Sequence, residues 1–357
     1  MEGIKQNALV PTYHCMHTPG GPLKYSLEGH QFAIFAMKLT SDNRYIISVS
    51  NKFITFDVVT SDLARQVYPK VEGLMIGLEL SSDNKFAAAF TNNNQTILLN
   101  TLIGEFFIID NPLSAGETVQ GLVILDTNLV IYGQTTWSIF DLRGNFVKNN
   151  RYEGEGGGEI LRLSMVDTLD NYSVLTWRGD SEIPAVTLQT YRANIPANPL
   201  EGHSALALNT KQTRAFICGA GEPQGSSNHQ VSSFVYKEGF WVREKNFQEN
   251  AEIILMLEIS KTETWCMATL QNGFKLWKIE TGREVELKLP AGVRNISKSH
   301  NNSSSLVLSK NDVLAVSGIR QEIIVWDMDT GSLVKRLVAH FQRIVEIKSL
   351  GKKQIDI

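Results

Sequence analysis

The sequence predicts an all-β chain built from one four-stranded unit repeated along its length. Three observations carry that prediction. Apolar residues alternate with period two in short runs, polar turn clusters separate the runs, and tight turns recur at a constant interval. Those turns fall near Gly21, Ser61, Gly104, Gly144, Arg192, Gly239, Gly282 and Gly331, a spacing of about 44 residues, which is the length of one propeller blade. Glycine at most of these points supplies the positive φ of a tight hairpin.

In chain order, residues 8–10, 13–16 and 23–27 read as a second, third and fourth strand with no first. The clearest unit follows: a strand at 34–39, the turn Ser41-Asp42-Asn43, strands at 45–49 and 53–57, a turn at Thr60-Ser61, and a strand at 63–68. Runs at 76–80, 86–90 and 97–99 repeat it around Ser82-Asp83-Asn84 and Gly104. So do runs at 253–259, 265–270 and 274–279 before Thr281-Gly282. Runs at 313–316 and 322–328 belong to the last copy, before Asp329-Thr330-Gly331; its first strand lies either at 293–298 or at 305–309. Residues 341–350 alternate like one further innermost strand with nothing after it. The two ends are complementary, and pairing them in one blade removes the exposed edges of an open sheet. The expected fold is therefore a single β-propeller domain over 1–357. Eight blades are preferred, the last closed by strands from 1–28 and 341–357, and seven blades are the alternative.

Composition bounds the function. The chain carries 34 basic and 37 acidic residues, for a net charge of -3, mixed along its length. That balance argues against nucleic-acid binding by counterion release. No apolar run reaches the roughly eighteen residues of a spanning helix, and the first ten residues lack a leader's basic-then-apolar order, so no membrane contact is expected. Three cysteines, Cys15, Cys218 and Cys266, are odd in number and far apart, which favours a reducing, cytoplasmic setting. Three Asn-x-Ser/Thr matches, at Asn94, Asn171 and Asn295, are expected by chance in an Asn-rich chain.

The strand order, the Gly-His openings and the Trp-Asp closings resemble the WD40 repeat family. Trp326-Asp327 is a literal match; Phe56-Asp57 and Phe140-Asp141 are conservative versions, and Trp277 holds the corresponding place in its own unit. Leu27-Glu28-Gly29-His30 and Leu200-Glu201-Gly202-His203 match the opening, and Ala339-His340 is a weaker form. The resemblance implies a buried hydrogen-bond network in which His30, Ser48 and Asp42 take part, although Phe56 stands where a Trp would donate. Such networks stiffen a blade when every polar group is satisfied. On this reading His30, Asp42, Ser48, Asp57, Asp141, His203, Trp277, Trp326, Asp327 and His340 are structural residues. The stretch from Leu27 to Ser48 further resembles the C-terminal WD-repeat region of NACHT and WD-repeat-domain proteins. That likeness implies a ligand-sensing or autoinhibitory module of an intracellular signalling NTPase, here without a Walker A sequence.

Chemistry-bearing motifs are thin. The Gly-rich stretch at 153–158 is acidic and leads into a strand without a Lys-Ser/Thr, so it is a loop and not a phosphate cradle. His14 and His17 are three apart, on opposite sides of a strand, which does not make a metal pair. Cys218 and Cys266 sit inside apolar runs as small hydrophobes. No catalytic, cofactor or metal residue is assigned, and the expectation is a non-enzymatic platform for other proteins or for other domains of the same parent chain. A propeller-type hydrolase and a reader of modified peptides or nucleic acid are the competing readings. The long polar stretches at 219–230 and 291–304 are functional or disordered loops. Candidate partner contacts are Gln31, Phe32, Tyr152, Phe341 and Arg343, beside the opening motifs on the face shared by the two loop classes; Phe32 and Phe341 serve equally well as core caps.

Overall fold

The structure is a computed structural model. It describes residues 12–16, 23–110, 112–114, 116–152, 159–166, 168–178, 185–192, 195–196, 199–203, 205–209, 211–219, 230–247, 254–260, 262–270, 273–288, 306–308, 313–319 and 322–338. Among these residues there is no helix, and strand pairing is antiparallel throughout. The chain divides into two compact units at the Arg151–Tyr152 junction.

The first unit holds four sheets. Sheet A pairs β1 (Thr12–Met16) with β2 (Leu23–Glu28). Sheet B runs β3 (Ala36–Leu39), β4 (Tyr45–Val49), β5 (Phe53–Asp57), β6 (Leu63–Val67). Sheet C runs β7 (Met75–Leu80), β8 (Phe86–Thr91), β9 (Gln95–Asn100), β10 (Phe106–Asp110). Sheet D runs β11 (Gly121–Ile124), β12 (Asn128–Tyr132), β13 (Thr136–Asp141), β14 (Phe146–Arg151).

The second unit holds four more. Sheet E contains β15 (Glu159–Val166), β16 (Thr168–Arg178), β17 (Ala185–Arg192), β18 (Ile195–Pro196) and β19 (Leu200–His203). Both β18 and β19 pair with β17, at different heights, so together they fill one fourth-strand position. Sheet F runs β20 (Leu206–Leu208), β21 (Arg214–Cys218), β22 (Val231–Lys237), β23 (Phe240–Asn246). Sheet G runs β24 (Ile254–Ile259), β25 (Trp265–Leu270), β26 (Gly273–Lys278), β27 (Glu284–Lys288). Sheet H runs β28 (Leu306–Leu308), β29 (Leu314–Ile319), β30 (Glu322–Asp327), β31 (Leu333–Val338).

Period-two alternation explains how the sheets stack. In sheet C, Ala87, Ala89, Ile97 and Leu99 pack with Ile47, Val49 and Phe53 of sheet B. The intervening Ala88, Phe90 and Leu98 pack with Leu122, Leu129, Ile131 and Phe140 of sheet D. Likewise Cys266 and Ala268 of β25 meet Phe216 and Cys218 of sheet F, while Trp265 and Met267 meet Ala315, Ile324 and Trp326 of sheet H. A sheet covered on both faces needs inner strands that are apolar almost throughout, as β8 and β25 are, each with a single threonine. The last strands of sheets D and F, β14 and β23, are instead largely exposed. Repeated, stacked four-stranded antiparallel sheets are consistent with a β-propeller.

Turns on one end of the sheets repeat with nearly the same hydrogen bonds. Between first and second strands, the amides of Asn43, Asn84, Gln212 and Glu263 donate to the carbonyls of Thr40, Ser81, Asn209 and Ser260, each donor residue lying at positive φ. Between third and fourth strands, Ser61, Gly104, Gly144, Gly282 and Gly331 lie at positive φ, at the expected positions. Glu238 and Gly239, both at positive φ, make the two-residue hairpin turn of sheet F.

Within each unit, several of these turns also hold a sheet to the one before it. The Arg65 guanidinium on β6 donates to the Leu102 carbonyl (2.7 Å), and Lys245 Nζ on β23 donates to the Ile279 and Glu280 carbonyls (3.2 and 2.6 Å). Gly144 lies against Phe107 of β10, and Gly331 lies so close to the Glu286 carbonyl of β27 that a Cβ would collide with it. Side chains tie the neighbouring turns too: Asn84 to Ser41, Ser82 to Asp126, and Asn209 to Glu263.

Differences from expectation are local. β3 begins at Ala36 rather than 34, and the first strand of the last sheet is Leu306–Leu308, within the second of the two candidate runs. Leu200–His203 lies in the fourth-strand position of sheet E, at the close of one unit and not at the head of the next. β1 and β2 match the expected third and fourth strands of the N-terminal fragment. Residues 8–10, Gly21, His340, Phe341, Arg343 and the whole of 341–350, together with most of both long loops, lie outside the described residues.

Candidate functional site

In a four-stranded meander, the second-to-third turn and the connection from one sheet to the next share the end opposite the stapled turns. In the first unit this end carries His30 to Phe35, Ser50-Asn51-Lys52, 68–74, Asn92 to Asn94, 116–120 and Gly133 to Thr135.

Part of it is fully bonded. The Glu117 carboxylate accepts from the amides of Thr135 (3.3 Å) and Thr136 (3.2 Å) and from both hydroxyls. Burial would raise its pKa, but these donors hold the carboxyl below its ordinary range. Gly133 leaves room for it, since a Cβ there would strike the Glu117 carboxylate. Asn94 bonds the backbone of Glu117 (3.1 Å) and of Val119 (3.1 Å), fixing the connection between sheets C and D.

The head of sheet B differs. His30 is buried at 2% exposure, and its Nε2 lies 2.8 Å from Ser48 Oγ. Ser48 Oγ donates onward to the Ile54 carbonyl at 3.3 Å, which makes Nε2 the donor and leaves Nδ1 an acceptor. Nδ1 has no partner, nor have Ser50 Oγ and Asn51 Oδ1, all buried. Burial, and then the neighbouring Lys52 charge, hold the His30 imidazole down to about 4 from 6.5. Lys52 is only 5% exposed; its Nζ donates to Gln66 Oε1 (3.1 Å) and Tyr68 Oη (2.9 Å) and lies 4.8 Å from the Tyr68 ring centre. Of the expected residues, Gln31 is exposed and Phe32 is 52% exposed, beside His30.

Neither a protein-family model nor a curated protein sequence matches the chain.

The Trp-Asp positions resolve into two roles. Trp277 and Trp326 are fully buried between sheets, and Trp277 Nε1 donates to Glu284 at 3.1 Å. The Asp cap turns: Asp57 accepts from the amides of Val59 and Thr60, Asp141 from Arg143 and Asn145, and Asp327 from Thr330. Burial works against the ionised Asp57, yet the Thr60 and Val59 amides and Arg44 keep its pKa low. The Asn145 and Thr330 side chains, with nearby amides, do the same for Asp141 and Asp327. Asp42 accepts from Thr40 Oγ1 (2.6 Å) and the Arg44 amide (3.0 Å) in the turn at the far end of sheet B from His30. His203 lies in β19.

In the second unit, Tyr152 is half-buried, its phenol pushed up by burial against a hydrogen bond with Thr176. Tyr172 and Tyr191 stack at 4.5 Å and 14°, leaving no gap for a cation between their faces. In a cleft lined by Arg214, Lys245, Glu263, Thr264 and Glu280, Arg214 bridges Glu244 at 3.2 Å, Lys245 donates to the Glu280 carbonyl at 2.6 Å, and Glu263 accepts from Asn209 at 3.0 Å. Among the described residues, no helix is long and apolar enough to cross a membrane.

Sequence reasoning missed Ser50, Asn51, Lys52, Gln66 and Tyr68. A polar Ser-Asn-Lys turn reads as solvated. The usable signal was its tightness, three residues between Val49 and Phe53, which carries Lys52 to the edge of a packed sheet.

Proposed function

We propose that the chain is a non-catalytic protein-docking platform of WD-repeat type, binding through the second-to-third-strand end of its sheets. One observation carries this reading: the two ends of the first unit are finished differently. Turns at one end are bonded from sheet to sheet, with Arg65 Nη1 unpartnered there, whereas at the other end, bonded between sheets C and D, the head of sheet B gathers three unpartnered buried polar atoms beside exposed Phe32 and Tyr68 (59% exposed). Exposed aromatics beside buried polar groups are the usual anchors of an interface.

The family reading rests on the His30–Ser48 bond, the buried Trp277 and Trp326, and the turn-capping Asp57, Asp141 and Asp327. On the same reading the chain is one propeller of eight blades, with seven the alternative, and residues 341–350 supply the missing first strand beside sheet A. It would act in the cytoplasm as a sensing or autoinhibitory module of a signalling NTPase, as the resemblance to NACHT and WD-repeat-domain proteins implies. Its partners are other proteins or domains of the parent chain, with Gln31, Phe32, Tyr152, Phe341 and Arg343 as contacts.

The test is affinity purification with the intact protein and with a Phe32→Ala, Phe341→Ala, Arg343→Ala variant. Partners recovered by the first and lost by the second are the expected outcome. The same partners in both would remove the assignment of the face.

A further inference from the structure

We propose that the head of sheet B is a receiving site for a carboxylate carried on an extended protein segment, with Lys52 as its counter-charge. This rests on the docking reading of that end and names the chemistry of the partner. Lys52 is a buried cation whose bonded partners, Gln66 Oε1 and Tyr68 Oη, are both neutral. Among the described residues no acidic side chain forms an ion pair with it. An ammonium has three donors, and these two bonds leave one over. Beside it, Ser50 is fully buried, and its hydroxyl has no partner.

A buried charge without a counter-ion is costly, and so is each buried polar atom left unbonded. One three-residue turn with its neighbouring histidine collects the spare Lys52 donor and three unpartnered atoms, whereas the comparable turn at Gly133 to Thr136 is closed by Glu117. The inventory defines the ligand. Lys52 and Ser50 have hydrogens to give, which suits an anion. Asn51 Oδ1 and His30 Nδ1 have lone pairs to fill, which suits N–H groups. Sulfate supplies acceptors alone, and inorganic phosphate adds a hydroxyl or two but no N–H group. An Asp or Glu side chain on a peptide brings a carboxylate and main-chain amides together. Tyr68, its ring 4.8 Å from the ammonium and more than half exposed, offers apolar contact to such a segment.

The experiment selects phage-displayed random linear peptides on the intact protein, then measures each selected peptide by fluorescence anisotropy against Lys52→Met, Lys52→Arg and Ser50→Ala. The expected result is enrichment of Asp or Glu at one position. Affinity should fall about thirtyfold or more for Lys52→Met, several-fold for Ser50→Ala, and partly recover in Lys52→Arg. Excess inorganic phosphate should not displace the peptides.

Peptides that lack acidic residues, or that bind Lys52→Met as tightly as the native protein, would overturn the carboxylate site while leaving the docking face intact. No selected peptide at all would overturn both, and displacement by phosphate would overturn the peptide assignment. A structural role for Lys52 is separated by stability. Relieved of an unpaired buried charge, Lys52→Met should unfold at the same or a higher denaturant concentration than the native protein. Unfolding at a lower concentration would mean that Lys52 serves the fold, and the proposal would fail.

Discussion

At the scale of single residues, the informative groups are those whose burial and bonding disagree. His30 makes one bond, to Ser48, and keeps an unmet Nδ1 at 2% exposure, so protonating it in the folded chain is unfavourable. Its pKa falls from 6.5 in the open chain to about 4 in the folded one. Between those values the unfolded state binds a proton that the native state refuses. Stability from this residue is therefore essentially complete above pH 6.5 and is lost as pH falls toward 4, on the order of 3 kcal/mol in all. Urea unfolding of the native protein and of His30→Gln across that window should give a pH dependence that the variant flattens; parallel curves would mean that His30 is not the titrating group. The pairing of His30 with Ser48 was legible as motif residues. The isolation of Lys52 was not, because burial of a turn lysine depends on how two other strands place Gln66 and Tyr68 around it.

At the scale of elements, the strands were readable because each uses the pleat in its plainest form. β4, β5 and β25 coincide with their apolar runs, while β3 starts two residues late. The fourth strand of sheet E was hidden because β18 and β19 split its pairing with β17, and no single alternating run marks it. Turn glycines differ in what they must satisfy. Gly239 sits at φ 91 with nothing within 4 Å of an added Cβ, whereas Gly331, at φ 69, also rests on the Glu286 carbonyl. Gly239→Ala should cost about 1–2 kcal/mol, from backbone conformation alone. Gly331→Ala should cost more and should also loosen sheet H from sheet G. Denaturant midpoints order the two variants, and equal losses would show that the close approach at Gly331 carries no energy.

At the scale of the molecule, each unit is stabilised by neighbouring sheets packed face to face, much as in repeat proteins whose stability is a sum of nearest-neighbour terms. Cys218 and Cys266 are fully buried in one cluster joining sheets F and G, and burial drives the Cys266 thiol well above its usual range. With Cys15 changed to Ser, a thiol reagent should leave both untouched in the native protein and modify them together as denaturant rises. Separate labelling midpoints would mean that sheets F and G open independently. The direction of the contacts at Arg65, Phe107, Lys245 and Glu286 has a consequence for how the chain is made. In every case the later sheet lays its turn on an outer strand that was synthesised earlier. Like roof tiles laid upward from the eaves, each course within a unit finds its seat already in position as it leaves the ribosome. At these four seams, growth from the N-terminal side does not have to wait for a strand that has yet to be translated.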